Sequence, residues 1–288
     1  MLHPAVRLNW AILVVLAVTA FTTFTAMAQE DADGAAVAAA TGVASGVGAP
    51  QPGWRSQWGI GVIANPKFAG ADNYNITPIP YLDFRYMDQK GTKYFANIPQ
   101  GIGGFFYRQR NLQTGGFVNI GASIAPGFTV RDDTFEQLDE VGISTEARIY
   151  AEAGGRNWVG AVTLAQDVGS GHEGAYIDLS LQQRGRLGDT TGFYAWGPVL
   201  RLGDDTYKEA FFNIPDDVAA EVGIDPYDAD AGVERVGLQA LISMPIGSSK
   251  WRVTSLARVA SLIDDASDSP IVEEDIQYFF LAAFTRPF

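Results

Sequence analysis

Residues that could carry out chemistry are few in this sequence, and the most suggestive pair lies on a glycine-rich segment. Ser170 and His172 stand two positions apart within residues 169–173, GSGHE. A serine hydroxyl activated by a histidine is the nucleophile of many acyl hydrolases. However, a glycine-rich loop does not hold the fixed geometry that a nucleophile and its base require, and the sequence has no G-x-S-x-G elbow and no S-x-x-K motif. We therefore expect no catalytic residue and a solvated loop histidine.

Metal and cofactor sites are not expected either. Apart from His172 the chain contains only His3 and no cysteine, which is too few ligands for zinc. Acidic residues cluster in three segments: Asp132, Asp133 and Glu136; Asp204 and Asp205; and Asp264, Asp265 and Asp268. Such clusters bind Ca²⁺ or Mg²⁺ weakly, but no D-x-D-x-D-G spacing marks a dedicated site, so we interpret them as solvated loops. The glycines of residues 101–104 precede no predicted helix and therefore predict no dinucleotide site.

The composition narrows the class of protein that must position these residues. The 288-residue chain has 47% hydrophobic and 18% charged residues, with 32 glycines. Its apolar and aromatic content is too high for a disordered chain. A formal charge of −13 argues against nucleic acid as a partner, because phosphate binding requires clustered Lys and Arg. The absence of cysteine excludes disulfide scaffolds and thiol nucleophiles, and the glycine and aromatic content favours an all-β fold.

Two segments precede the body of the chain. Residues 1–28 resemble a secretory signal peptide, with a positive Arg7, an apolar run over residues 11–20 and an A-x-A site at residues 26–28. A transmembrane helix needs about twenty apolar residues, so this shorter run predicts cleavage rather than anchoring. Residues 29–53 are rich in Ala, Gly and Pro and contain no aromatic residue, which predicts a flexible leader. The folded domain is expected over residues 54–288.

From residue 54 onward, apolar and polar residues alternate with the two-residue period of β-strands. In residues 232–244, for example, Val236 and Leu238 point to one face, whereas Arg235 and Gln239 point to the other. The polar faces carry full charges in the middle of strands, opposite bulky apolar groups. We predict that the following charges face a common interior: Asp83, Arg85, Glu146, Arg148, Glu152, Asp178, Arg184, Arg201, Arg235, Arg252 and Arg258.

This pattern favours a transmembrane barrel over a soluble β-sandwich. The chain ends on a strand with Tyr278, Phe280, Phe284 and Phe288 on one face, which is similar to the assembly signal of outer-membrane barrels. Lipid offers no hydrogen-bonding partners, so such a sheet must close on itself. We predict a transmembrane antiparallel up-and-down β-barrel with twelve strands near residues 55–64, 76–87, 92–97, 101–108, 115–127, 141–152, 157–167, 175–185, 192–203, 232–244, 251–262 and 275–288. If residues 92–108 formed a single strand, the number of strands would be odd, so a ten-strand barrel is the alternative.

The lengths of the connections support a barrel. Short connections are predicted at residues 88–91, 109–114, 153–156, 186–191 and 245–250, and longer ones at 65–75, 128–140, 168–174, 204–231 and 263–274. If the N-terminus lies in the periplasm, the long connections lie on the outer side of the membrane and the tight turns on the periplasmic side, as in outer-membrane barrels. Residues 98–100 do not fit this trend and must form a very tight outer turn.

Several short motifs resemble those of one protein family. Residues 66–70 (PKFAG) followed by residues 78–81 (PIPY) look like the opening of the MipA/OmpV family of outer-membrane proteins. The similarity continues at Leu138 and Asp139 and is strongest at Ala257 and Arg258, followed by residues 264–272 (DDASDSPIV). Together the motifs cover about residues 55–288, in the order and spacing of the family.

This resemblance implies an outer-membrane location and a role as a non-enzymatic scaffold for murein-remodelling enzymes. The implied partners are outer-membrane lipid, lipopolysaccharide and a periplasmic murein hydrolase or synthase. From the residues alone, a small diffusion channel remains the alternative, and an outer-membrane lipid hydrolase a more distant one. The inward charges either line a polar pore or pair with one another as a plug that fills the barrel.

Overall fold

The computed structural model describes residues 52–97, 100–111, 113–127, 129, 131, 138 and 141–288. The expected signal peptide and nearly all of the expected leader therefore lie outside the described residues. Within the described part, the chain forms one closed antiparallel sheet in which every strand pairs with its neighbours in sequence and β1 pairs with β12. The strands are β1 (Gly53–Pro66), β2 (Tyr74–Asp88), β3 (Gly91–Asn97), β4 (Gly101–Arg110), β5 (Phe117–Gly127), β6 (Ser144–Gly154), β7 (Trp158–Asp167), β8 (Ala175–Arg186), β9 (Phe193–Gly203), β10 (Gly232–Pro245), β11 (Arg252–Leu262) and β12 (Ile276–Pro287).

The twelve-strand prediction is confirmed, and the ten-strand alternative is wrong. The deciding element is the β3–β4 hairpin, in which Asn97 pairs with Gly101 and leaves three residues for the turn. Gly101 makes this tight turn possible because its φ of +74° is one that L side chains rarely adopt. A Cβ atom at this position would also overlap the backbone carbonyl oxygen of Ile124 on β5.

The two ends of the barrel differ. The first residue of β1 and the last residue of β12 lie at the end of the barrel that carries the short connections. There the Phe288 N–H donates to the Ser56 carbonyl oxygen over 3.2 Å. We call this the short-turn end and the opposite one the long-loop end. Aromatic side chains form a cluster on the outer surface at the short-turn end, with Trp58 stacked edge-on against Trp251 at 5.6 Å between ring centroids. Aromatic belts of this kind are typical of membrane–water interfaces.

The outer wall is apolar because alternate residues of each strand point away from the lumen. On β12, Tyr278, Phe280 and Phe284 are all exposed on this surface, whereas Leu281 and Ala283 are buried inside. This agrees with the predicted orientation of the terminal strand. One predicted strand boundary is wrong: the sequence predicts a strand from residue 141, but β6 begins only at Ser144. Val141 instead forms an isolated bridge with Arg131 and is buried beneath the loops.

The longest connection, between β9 and β10, folds over the long-loop end of the barrel. It contains α1 (Asp205–Phe212) and α2 (Asp216–Val222), and the β11–β12 connection adds the short α3 (Asp265–Asp268). Asp204 caps α1, because its carboxylate oxygen accepts the Tyr207 N–H over 2.8 Å. In the described residues, no helix combines the length and apolar character that membrane crossing requires.

Aromatic packing fixes α1 over the lumen. Tyr207, Phe211 and Phe212 are almost completely buried and pack with Tyr176 of β8 and Leu262 of β11 in one apolar cluster. We call the helices α1, α2 and α3, together with the loops that pack against them, the cap. Since each buried aromatic side chain contributes up to about 3 kcal/mol of transfer free energy, the cap is a packed part of the fold.

Candidate functional site in the barrel lumen

Charged side chains on the inner wall form several paired clusters. In the first, Arg201 of β9 donates through Nε and Nη2 to both carboxylate oxygens of Asp178 on β8, over 2.7 and 2.6 Å. The guanidinium carbon lies over the Tyr176 ring, 3.8 Å from its centroid, and Nη1 donates to the Tyr207 hydroxyl over 3.0 Å. Arg201 therefore connects the wall of the barrel to the cap.

Glu146 of β6 is the centre of a second cluster. Its carboxylate accepts from Arg148 Nε over 2.7 Å, from the Tyr176 hydroxyl over 2.8 Å and from the Ser144 hydroxyl over 3.2 Å. The side chain is only 3% exposed, so all of these contacts are shielded from water. His172 Nε2 lies 3.5 Å from the same carboxylate. A buried carboxylate with this many donors is fully satisfied and holds its neighbours in place.

The predicted solvated state of His172 is wrong. The side chain is 2% exposed, and its ring packs at 4.9 Å between centroids against Tyr207 of the cap. Ser170, in contrast, points to solvent. The histidine is buried because the β7–β8 connection folds inward, held by Asp167, whose carboxylate accepts three backbone N–H groups of that loop. The structure thus separates the hydroxyl from the imidazole, and the two residues form no nucleophile–base pair.

A third cluster surrounds Arg85 on β2. Arg85 Nε donates to both oxygens of Asp83 over 2.8 and 3.0 Å, and Nη2 donates to the Gln100 side-chain oxygen over 3.0 Å. Gln100 belongs to the tight β3–β4 turn, which is so short that this residue folds into the lumen and is buried. Asn97 Nδ2 donates to the same oxygen over 3.0 Å. The tight turn therefore supplies a polar partner to an inner-wall arginine.

Two further predicted charges are held near the short-turn end. Glu152 of β6 is buried and accepts from Asn119 Nδ2 over 2.8 Å. Arg184 of β8 donates to the Gly155 carbonyl oxygen over 2.6 Å, and its guanidinium lies 5.4 Å from the centroid of the Phe117 ring. The Glu152 carboxylate also interacts electrostatically with Arg184 and Arg85, so these two side chains belong to the charged lining of the barrel.

One buried acidic residue is missing from the sequence-based set. Glu234 of β10 is 0% exposed and accepts from Arg235 Nη1 over 2.9 Å. Strict alternation places Glu234 and Arg235 on opposite faces, but the register with β9 shifts between Val233 and Arg235. Such a β-bulge allows two consecutive side chains to point to the same side. The sequence offered no turn or glycine signal for this bulge, so the partner of Arg235 was missed.

The last two predicted charges, Arg252 and Arg258 on β11, form no ion pair with a carboxylate in the part of the chain that the structure describes. Arg252 lies at the short-turn end, where its Nη2 donates to the Thr191 carbonyl oxygen over 3.2 Å and to the Ser243 hydroxyl over 3.3 Å. Arg258 lies deeper in the lumen, with its guanidinium 5.2 Å from the centroid of the Phe279 ring. No hydrogen-bond acceptor of Arg258 and no carboxylate within ion-pairing distance is found among the described residues.

A cavity of about 290 Å³ lies between these clusters. Its charged lining residues are Arg148, Asp178, Arg201, Arg235 and Arg258, and its walls also include Tyr150, Tyr176, Phe279, Gln239 and Gln277. Phe68 and Ala69 of the first long loop contribute to its wall. The lumen is thus a small polar chamber, rich in arginine, beneath a packed cap.

A family model described as MltA-interacting protein MipA matches residues 58–288. The chain belongs to the MipA family. No curated protein matches the chain. The resemblance deduced from the sequence motifs is confirmed, and family and fold together identify an outer-membrane β-barrel protein.

The first and the last of the motifs that carry the family resemblance meet at the long-loop end of this MipA-family barrel. Gly70, from the first motif, adopts φ +99°, and a Cβ there would press against the Val272 side chain at 2.6 Å. The Gly70 carbonyl oxygen accepts the backbone N–H groups of Glu273 and Glu274 over 2.8 and 2.9 Å. Sequence segments separated by about two hundred residues are therefore joined by direct backbone contact. The motifs specify how the loops close on one another.

The acidic clusters have structural roles where the MipA-family barrel is described. Asp204 caps α1, and Asp205 accepts the Ala231 N–H over 2.6 Å. Asp265 Oδ2 lies 3.9 Å from Lys208 Nζ. The remaining acidic cluster, which consists of Asp132, Asp133 and Glu136, lies outside the described residues. In the part of the chain that the structure describes, no three His, Asp or Glu side chains are arranged to hold a metal ion.

Two titratable side chains of α1 have perturbed pKa values. Lys208 of α1 is 0% exposed, and burial lowers the pKa of its ammonium group, with partial compensation from Asp265. Burial raises the pKa of the Tyr207 hydroxyl to about 12. Both shifts stem from removal of the charged form from water, so they report the tight packing of α1 against the barrel.

Proposed function

We propose that this MipA-family protein is a non-enzymatic outer-membrane scaffold that binds a murein-remodelling enzyme on its periplasmic side. The observation that carries the proposal is the pairing of the lumen charges: Arg201, Glu146 and Arg85 lie in paired clusters beneath the cap. Opposite charges that neutralise one another in a closed interior fill the barrel instead of lining a water-filled pore. The family description, an MltA-interacting protein, supports a murein hydrolase as the partner.

The short-turn end is the surface we assign to the partner, because it would face the periplasm. It exposes the polar turns between β2 and β3, between β8 and β9 and between β10 and β11. To test this, a photo-crosslinking amino acid is placed at Gln89, Asp189 or Ser248, and matched controls carry it at Glu221 in the cap. We expect crosslinks to a murein hydrolase or synthase from the short-turn positions only. Crosslinks restricted to Glu221, or none to any murein enzyme, would contradict the scaffold.

A diffusion channel is the second candidate, supported by the polar chamber within the lumen. The two candidates differ in planar bilayers. The scaffold predicts little or no steady conductance from the purified barrel, because paired side chains and the cap obstruct the path. Deletion of residues 204–231, which removes α1 and α2, serves as the comparison. Large, stable conductance steps from the unaltered protein would favour the channel and refute an obstructed lumen.

A further inference from the structure

The chamber in the lumen contains one arginine, Arg258, that forms no ion pair with a carboxylate of the described residues. Three of the four arginines that line it have a carboxylate partner: Arg148 pairs with Glu146, Arg201 with Asp178 and Arg235 with Glu234. The fourth, Arg258, has no such partner among the described residues. The guanidinium lies over the Phe279 ring, 5.2 Å from its centroid, and no side chain or carbonyl oxygen of the described residues accepts a hydrogen bond from it.

The position of Arg258 makes this feature significant. It pairs in register with Gln239 of β10 on one side and with Phe279 of β12 on the other, within the membrane-spanning wall. Its charge interacts with Arg235 and Arg201 as well as with Asp178 and Glu234. Asp178 and Glu234 already pair with Arg201 and Arg235, so Arg258 adds an excess positive charge to the wall of a small chamber. An enclosed charge without a counter-ion is costly, whereas a charge with a bound counter-ion is not.

We propose that the chamber is a binding site for a small oxyanion, a carboxylate or a phosphate, held by the guanidinium of Arg258. A guanidinium presents parallel N–H donors that match two oxygens of such an anion. The side-chain amides of Gln239 and Gln277 also line the chamber and offer further donors. A volume of about 290 Å³ accommodates the anion with a small attached group or several water molecules, but excludes a polymer. This site does not depend on the scaffold role.

The test measures anion binding to the purified full-length mature barrel in a neutral detergent. Sodium phosphate and sodium acetate are titrated separately at constant ionic strength, which is maintained with sodium chloride, and binding is followed by calorimetry and by the thermal unfolding temperature. We expect saturable binding and a rise in that temperature with at least one anion. The two titrations distinguish the sources, because preference for phosphate points to a phosphorylated ligand and preference for acetate to a carboxylate.

Variants assign the binding to Arg258. Arg258→Gln is expected to lower the affinity by roughly tenfold or more, because the charge-assisted hydrogen bonds are lost. Arg258→Lys retains the charge without the paired donors and is expected to bind with intermediate affinity. The matched control is Arg252→Gln on the same strand, which is expected to bind as the unaltered protein does, because Arg252 lies at the short-turn end. Migration of unheated samples on gels verifies that each barrel is folded.

The absence of saturable binding by either anion would overturn the proposal. Equal affinity of Arg258→Gln and the unaltered protein would do so as well, since the anion would then bind elsewhere. If Arg258→Gln does not fold, Arg258→Lys decides the question: weaker binding by this folded variant supports the site, and unchanged binding refutes it. Without added oxyanion, we also expect Arg258→Gln to unfold at a higher temperature than the unaltered protein, because it removes an unneutralised charge.

Discussion

Replacing Arg148 by Gln tests whether the charged clusters are sealed within the wall or lie in open water. Arg148 is 12% exposed and Glu146 3%, with 2.7 Å between the charged atoms. The substitution leaves a buried carboxylate without its cation and removes the hydrogen bond from Arg148 Nη2 to the Pro126 carbonyl oxygen. Breaking a buried pair costs about 3–5 kcal/mol. We expect the lower end of this range, about 3 kcal/mol, because the Tyr176 and Ser144 hydroxyls still donate to Glu146.

The assay is equilibrium unfolding in guanidinium chloride, with the barrel in lipid vesicles and tryptophan fluorescence as the signal. The matched control is Arg108→Gln, which breaks a pair of similar length, 2.6 Å, with an Asp88 side chain that is 32% exposed. Arg108 is 10% exposed, but water reaches Asp88, so this carboxylate stays hydrated after the substitution and the variant is expected to lose less stability than Arg148→Gln. Adding Glu146→Gln to Arg148→Gln is expected to restore part of the lost stability, because no unpaired charge then remains. Equal, small losses for Arg148→Gln and Arg108→Gln would refute the sealed clusters and indicate a water-filled lumen.

Three further predictions concern the outer wall, the tight turn and the cap. Phe284→Arg places a charge on the lipid-facing surface and is expected to cost about 2–4 kcal/mol, whereas Phe284→Leu is expected to be tolerated; vesicle-based unfolding measures both. Gly101→Ala is expected to lower stability by more than Gly91→Ala in the same assay, because both glycines have positive φ but only at Gly101 does a Cβ meet backbone. Burial lowers the pKa of Lys208 in the folded protein below the ordinary value of 10.5. Between these two pKa values the unfolded chain binds more protons than the folded protein. The free energy of unfolding is therefore expected to rise with pH in this window. Lys208→Met removes this contribution, and a pH dependence of unfolding that is the same in both proteins would contradict it.

The sequence predicts the barrel well because its wall follows a strictly local rule. Alternation of side chains sets the orientation of β12 and of the inner-wall arginines from neighbouring residues alone. Where the rule is interrupted, prediction fails: the bulge beside Arg235 turns Glu234 inward, and nothing in the local sequence signals it. The register of two strands determines such a bulge, and one strand's sequence does not contain that information.

The cap was not predicted, because contacts between distant loops stabilise it. His172 was interpreted as solvated from its glycine-rich neighbours, yet Tyr207 and Phe211, more than thirty residues away, bury it. Val141 was assigned to a strand for its place in an alternating run, yet it packs under the same helix. The motifs around Gly70 and Val272 can be recognised in the sequence, but the sequence does not show that they contact each other. That contact is visible only in the structure.

The β3–β4 hairpin is shorter than its neighbours and does not reach the long-loop end of the barrel. This gap in the wall affects the surrounding membrane. The pairing of β2 with β3 begins only at Asp83, so in the described residues β2 from Tyr74 to Leu82 is joined to β1 alone. An unpaired strand edge at membrane depth exposes polar backbone to lipid at a cost of several kcal/mol per group. Pro78 and Pro80 lie in this stretch, and a proline is tolerated in a strand only where no N–H donor is needed. We infer that the two prolines protect this edge, and that the bilayer thins locally beside the shortened hairpin, so that headgroups and water reach the remaining carbonyl oxygens.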